Sequence, residues 1–289
     1  KFVSVSNSAA ELFKMSKEQL FEMGVKEISP EYQPDGSLSA DVAMEKINEA
    51  INGGKPFFEW MHRDSEGVLI PCEVRLIRLT FGNKMLIRGS IHDISERKKR
   101  ERLLRVQFTT AHVLSQSETI EECATRICNS IVKNLEWDFA SLWMYDDTDQ
   151  QLHYSNCWYA STPLINKFGQ VSQSFRFSKG VGLPGQVLES GESLWIKDIQ
   201  SHHNFPRAKH AMDAGLHAAF AFPIQSNEKT AGVFEVFSKE VKAPDEAMLT
   251  MFDAIGKLIC QFILRKRAEL EIRKSNERYK GLLNNIGAG

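Results

Sequence analysis

Histidine, cysteine and glycine are the residue types whose placement in this chain could support chemistry. His202, His203, His210 and His217 fall close together, as zinc ligands do. Adjacent histidines rarely face one site, however, and no cysteine or paired carboxylate completes a tetrahedral set, so a surface loop and no metal site are expected. His62 and His92 stand on predicted strands, where the alternatives are a haem ligand and a hydrogen-bonded strand histidine, the second being commoner. Gly180, Gly182 and Gly185 have the GxGxxG spacing of a phosphate-cradling loop, but Pro184 lies within it and neither a strong apolar strand nor a βαβ unit frames it. A structural turn that opens a helix is expected there. Nowhere do a nucleophile, a base and an orienting group occur together, so no catalytic residue is expected in this segment.

The totals narrow the classes. The 289 residues suffice for about two domains, and 42% hydrophobic with 25% charged residues describe a soluble globular chain. Thirty-six Lys and Arg against thirty-seven Asp and Glu leave a net charge of -1, without the basic field that nucleic acid or an anionic membrane attracts. Five scattered cysteines, Cys72, Cys123, Cys128, Cys157 and Cys260, include no CxxC pair and predict a reduced, cytoplasmic compartment. No signal peptide is expected, and no apolar run approaching the roughly eighteen residues of a bilayer span.

The elements that would position these residues follow from periodicity. Phe2, Val3 and Val5 suggest a brief strand, Asn7 and Ser16 each open a short helix, and Met44, Ile47 and Ile51 repeat at helical spacing. Strands are expected over Phe57–Arg63, from Leu69 to about Leu79 and from Met85 to Ile94, the first two joined by the turn Asp64-Ser65-Glu66-Gly67. A helix from Glu96 to about Ser117 carries Leu104, Phe108, Ala111 and Leu114 as a narrow seam, suited to pairing with its counterpart in another subunit or to docking on its own domain. Ile120 to Leu135 is amphipathic and helical. Strands follow at 139–145, 152–159, 193–199, 218–224 and 231–238, and Pro244-Asp245-Glu246 starts a long final helix. The expected fold class is α+β, with two domains that each have an antiparallel sheet and flanking helices, joined and followed by long helices.

Two family resemblances sharpen this reading. Asn7-x-x-Ala10, Phe58-Glu59-Trp60, Asp64-x-x-Gly67 and Asp93-Ile94-Ser95-Glu96-Arg97 occur in the order of a PAS sensor domain, and residues 1–94 resemble one. The family's first central strand has no counterpart here, which implies that the chain is a fragment. In that family Asp93, Ile94, Ser95, Glu96 and Arg97 are the junction through which the last strand hands over to an output helix, here residues 95–116. The Ser95 hydroxyl could cap that helix, and Glu96 suits its dipole. Residues 117–243 resemble a GAF domain through Lys179-Gly180-Val181-Gly182-Leu183-Pro184-Gly185, Gly191–Asp198, Asn204-Phe205-Pro206-Arg207-Ala208, Gly215–Ile224 and Gly232–Ser238. Residues 244–276 would be its C-terminal helix and output linker, and residues 277–289 resemble the start of a further PAS domain.

What the resemblances imply is a cytoplasmic sensory segment of a signalling protein, with a histidine kinase or diguanylate cyclase domain beyond Gly289 and a homodimer formed through the connecting helices. A concave apolar sheet face in each domain would hold an unidentified small molecule or form core. Phe58, Trp60, Cys72, Val74, Trp143, Trp158, Phe220 and Phe222 are the candidates for those pockets. The cofactor is unknown. A bilin would need a Cys-His pair, whereas Cys157 lies between Asn156 and Trp158. Of the cyclic-nucleotide signature Asn-Lys-Phe-Asp-Glu only Ser238-Lys239 and Asp245-Glu246 remain as fragments. The rival readings are a non-sensing dimerisation scaffold and a GAF-fold methionine sulfoxide reductase, for whose clustered cysteines Cys123, Cys128 and Cys157 offer no recognisable spacing.

Overall fold

The structure is a computed structural model that describes residues 1–286 apart from 83, 160–161 and 227–228; the side chains of 81, 156–159, 229 and 279–286 also lie outside the described set. The chain divides into two compact units, Lys1–Glu101 and Arg102–Gly289.

In the first unit, helices α1 (Asn7–Phe13), α2 (Lys17–Glu22) and α3 (Ser39–Ile51) precede strands β1 (Phe57–Arg63), β2 (Leu69–Phe81) and β3 (Lys84–Asp93). Ser6 caps α1, its hydroxyl accepting the Ala9 N–H at 3.1 Å. Ser16 and Gln19 form a reciprocal capping box on α2. The β1–β2 turn is held by Asp64, whose Oδ1 accepts the N–H groups of Glu66 and Val68, both at 2.9 Å. The sheet runs β1-β2-β3 and is antiparallel, with Trp60 opposite Cys72 and Val74 opposite Ile91. Because side chains alternate along a strand, Trp60, Ile70, Cys72 and Val74 share a face and pack with Val42, Ala43 and Phe58.

Helix α4 (Ser95–Gln116) begins directly after β3. Its cap differs from the expectation. Asp93 Oδ1, not the Ser95 hydroxyl, supplies the acceptor by taking the Ser95 N–H at 2.8 Å, since Ser95 is already the first helical residue. The expected seam also divides. Leu114 is buried, but Leu104 and Phe108 are 63% and 74% exposed, while Leu103, Val106, Thr110 and Val113 are the buried set. The helix therefore docks a neighbouring stripe in the second unit's core and leaves Leu104, Phe108 and Ala111 outside.

The second unit comprises α5 (Ile120–Leu135), β4 (Phe139–Asp146), β5 (Gln151–Tyr159), α6 (Pro163–Ser172), β6 (Arg176–Phe177), α7 (Gly182–Ser190), β7 (Leu194–Ile196), α8 (Ala208–Asp213), β8 (Ala218–Ser226), β9 (Lys229–Ser238) and α9 (Glu246–Ile286). Its six-stranded sheet is antiparallel with the order β6-β5-β4-β9-β8-β7. Both faces are covered. One packs on α5, α9 and the later turns of α4 through Ile127, Leu142, Phe220, Phe222, Phe234 and Ile255. The opposite face, under α6, α7 and α8, carries Phe139, Trp143, Phe177, Val233 and Phe237, on which Phe168 of α6 packs.

Helix α9 corrects the expectation about apolar runs. By length and composition Glu246–Arg278 could cross a membrane, since it contains an eighteen-residue stretch with a mean hydropathy of 1.6. In the fold, Met251, Phe252, Ile255, Ile259 and Ile263 bury their stripe in the core. The approach to β8 is close enough that a Cβ on Gly256 would stand 2.4 Å from the Pro223 carbonyl oxygen, so only glycine fits there. From Ala268 to Arg278 the helix is exposed.

Candidate functional site

Strand β9 lies at the centre of the sheet, between β4 and β8, and its run Ala231–Phe237 is apolar except at Glu235. A carboxylate there cannot reach water, and an isolated buried charge costs many kcal/mol, so a cation must meet it. Arg207 does. It is 1% exposed against 0% for Glu235, and its guanidinium fork donates from Nη1 to Oε1 at 2.8 Å and from Nη2 to Oε2 at 2.7 Å. Glu235 Oε1 also accepts the Ser141 hydroxyl and the Trp143 indole N–H, both at 2.7 Å. Nη1 donates in addition to Ser172 Oγ at 3.1 Å.

Aromatic rings close the remaining sides. The Arg207 Cζ lies 5.2 Å from the ring centroid of Trp143, 5.5 Å from Phe168, 5.0 Å from Phe177, 5.5 Å from Phe205 and 5.6 Å from Phe237. Desolvated cation–π contacts add to the charge-assisted hydrogen bonds. The partners come from different kinds of backbone. Glu235, Ser141 and Trp143 project from central strands, whereas Arg207 sits in the connection from β7 to β8, one residue before the six-residue helix α8.

That connection is tied to the start of α7. Asn204 Oδ1 accepts the Gly182 N–H at 2.9 Å, and its Nδ2 donates to the Gly180 carbonyl at 2.7 Å. The amide that a phosphate loop would point at its ligand is therefore spent on Asn204. Gly182 has φ +65, and a Cβ there would meet the Phe177 ring at 2.8 Å, which accounts for the glycine without a phosphate.

The sequence-derived candidates separate among four places. Trp143 belongs to the cage. Phe220 and Phe222 do not share its pocket, a correction: they lie on the opposite sheet face, where Phe252 of α9 packs on them at ring distances of 5.1 and 4.8 Å. The Trp158 side chain lies outside the described residues. Phe58, Trp60, Cys72 and Val74 are together in the first unit, Phe58 edge-on to Trp60 at 5.8 Å and the Trp60 indole donating to Ser29 Oγ at 3.0 Å. At the junction Ile94 is buried, and Arg97 pairs with Glu73 and Glu59, the latter also reached by Lys98 at 2.6 Å. These contacts hold the Glu59 carboxyl below its ordinary range, the Lys98 hydrogen bond contributing most.

Among the described residues His202, His203 and His217, and His210 of α8, form no group of three or more that could share a metal. The one such group is Asp146, Asp149 and His153 in and beside the β4–β5 turn. It explains itself as a turn, because Asp146 takes the Thr148 N–H at 2.8 Å and Asp149 Oδ2 lies 2.6 Å from His153 Nε2. Cys72, Cys123, Cys128 and Cys260 are buried, and burial pushes the thiols of Cys72 and Cys123 up to about 12 and about 11, away from the thiolate that redox chemistry requires. The Cys157 side chain is outside the described residues. The sequence reading missed Arg207, Glu235, Ser141 and Ser172 as a set, although a lone acid inside an apolar strand is a signal that asks for a cation.

A family model described as a GAF domain matches residues 117–263. Among curated proteins none matches the chain. Among solved structures, the chain is similar to the GAF domain of a phosphoenolpyruvate-protein phosphotransferase from Coxiella burnetii, with 16% identity, a TM-score of 0.51 and coverage of 58% of this chain and 96% of that one. It is also similar to the GAF domain of the Acinetobacter phosphoenolpyruvate-protein phosphotransferase, at 15% identity, TM-score 0.49 and coverage of 58% and 97%. A third similarity is to the free methionine-R-sulfoxide reductase of Neisseria meningitidis in complex with its substrate, at 14%, TM-score 0.49 and coverage of 61% and 95%. The Coxiella likeness, at its identity, is one of fold.

Proposed function

The chain belongs to the GAF domain family, and from that premise we propose that it is a sensory or regulatory segment of a cytoplasmic signalling protein, with a PAS-like first unit and an output domain of the histidine kinase or diguanylate cyclase kind in the same protein. The observation that carries the reading is α4. Its first turns are bonded to the first unit through Arg97 and Lys98, and its later turns, from Leu103 to Leu114, are part of the second unit's core. No loop intervenes between β3 and α4, so in this proposal a change at their junction enters a helix whose later turns pack in the second unit's core. The homodimer belongs to the same proposal, with Leu104, Phe108 and Ala111 left exposed at coiled-coil spacing for a second copy.

Sedimentation of the chain alongside Leu104→Glu and Phe108→Glu variants tests the proposal. Dimer in the parent and monomer in the variants is expected; a parent that stays monomeric at high micromolar concentration removes the helix-paired relay. A second reading, a scaffold that senses nothing in its GAF unit, is favoured by the inner sheet face being filled by Arg207 and its rings. The reductase reading draws no support from the four buried thiols.

A further inference from the structure

We infer that the ring cage and Glu235 constitute a binding site for guanidinium-class cations, in which Arg207 is the resident occupant and with which an external alkylguanidinium competes. The inference does not rest on the relay or on the dimer.

Four observations carry it. The recognition chemistry is complete, since a carboxylate fork, a serine acceptor and five π faces surround one planar cation. The receptor half is organised without its occupant: Ser141 and Trp143 hold Glu235 Oε1 from β4, so the carboxylate keeps its orientation and two donors if Arg207 withdraws. The occupant half is carried by a connection between strands and can leave without breaking a sheet ladder. Arg207 Nε, finally, is buried without an acceptor, so the guanidinium is held through its two terminal nitrogens and its rings and not through the nitrogen that joins it to the chain. Phe168, one of the cage rings, also walls a cavity of about 140 Å³ with Leu164, Lys167, His210 and Asp213 of α6 and α8, so a single ring lies between that cavity and the cage. An incoming cation would exchange with Arg207, whose guanidinium regains water as the ligand loses it.

Arg207→Ala in the whole chain, titrated with methylguanidinium chloride, tests the site. The Trp143 indole N–H resonance in a ¹⁵N spectrum reports occupancy through Glu235, and thermal unfolding reports stabilisation. The variant is expected to melt lower and to regain stability saturably at millimolar methylguanidinium, with matched sodium chloride and neutral methylurea without effect. Wild type should need at least about tenfold more ligand for the same Trp143 shift, because its site is already filled. Rescue by methylurea as strong as by methylguanidinium, or a Trp143 resonance indifferent to methylguanidinium in the variant, overturns the inference. If Arg207→Ala does not fold, Arg207→Met retains bulk in the cage, and the same titration of its Trp143 resonance decides by the same criteria.

Discussion

The two units bury polar side chains in opposite ways. In the second, Glu235 and Arg207 form an ion pair inside the core, and the carboxylate and the ends of the guanidinium fork are matched by a partner. In the first, His62 is 3% exposed with only half of its ring satisfied: Nδ1–H donates to the Ile28 carbonyl at 3.0 Å, while Nε2 has no partner. One centre neutralises a charge by pairing and the other by giving it up, because burial pulls the His62 imidazole down to about 4. A paired charge should therefore be sensitive to its partner, and an unpaired imidazole to the proton.

The largest effect that could break this contrast comes from removing one member of the pair. Arg207→Leu alone or Glu235→Leu alone is expected to destabilise the second unit by about 3–5 kcal/mol, since each leaves a buried charge uncompensated. The double variant Arg207→Leu with Glu235→Leu should lie well above either single one in a denaturant titration followed by tryptophan fluorescence. Strictly additive losses would mean that the two side chains act through packing and not through their charges.

Acid sharpens the other half. Because the unfolded imidazole binds a proton near pH 6.5 and the folded one only near 4, His62 leaves stability intact above about pH 6.5, removes it as pH falls, and costs no more below about 4, a total of about 3 kcal/mol. Amide exchange of β1 and β2 between pH 7 and 4 would show the loss in the first unit, and His62→Gln should flatten it. An unchanged slope in that variant would place the acid sensitivity elsewhere.

A smaller step compares the faces of the second unit's sheet. Ile255→Val, in the stripe that α9 lays on the apolar face of the sheet, is expected to cost about 1 kcal/mol through the lost methylene, with no dependence on salt or on a partner residue. A measured coupling between Ile255 and Arg207 would show that the sheet does not insulate one face from the other.

The same contrast explains what could be read from the sequence. Strand β1 follows from its composition and its flanking turn, and its residues 57–63 are those expected, because one of its faces is wetted and alternation survives. Strands β8 and β9 are buried on both faces, so their apolar runs carry no alternation, and nothing in Ala218–Ile224 says that Phe220 and Phe222 face away from Trp143. Helix α4 offered two neighbouring apolar stripes, and only tertiary packing chose between them. Arg207 stands in a connection where no period applies. Glu235 was legible in principle, as an acid in the run Ala231–Phe237, which is otherwise Ala, Gly, Val and Phe, but its partner lies 28 positions away and only the fold brings them together.

The junction should give the smallest change in stability and the most local one. Arg97 reaches Glu73 and Glu59, yet its side chain is 42% exposed, and water screens such pairs until they contribute little to the global balance. Arg97→Ala is therefore expected to leave the unfolding midpoint of either unit unchanged within measurement. The first turn of α4 is another matter, because Ile94 N–H and Asp93 fix its start while Arg97 and Lys98 tie its side to β1 and β2. Amide exchange at residues 98–101 should quicken in the variant while that at Val106 and Val113, inside the second unit's core, stays slow. If the midpoint fell as far as in the single Arg207 variants, the exposed pair would be as cooperative as the buried one, and exposure would not be what separates them.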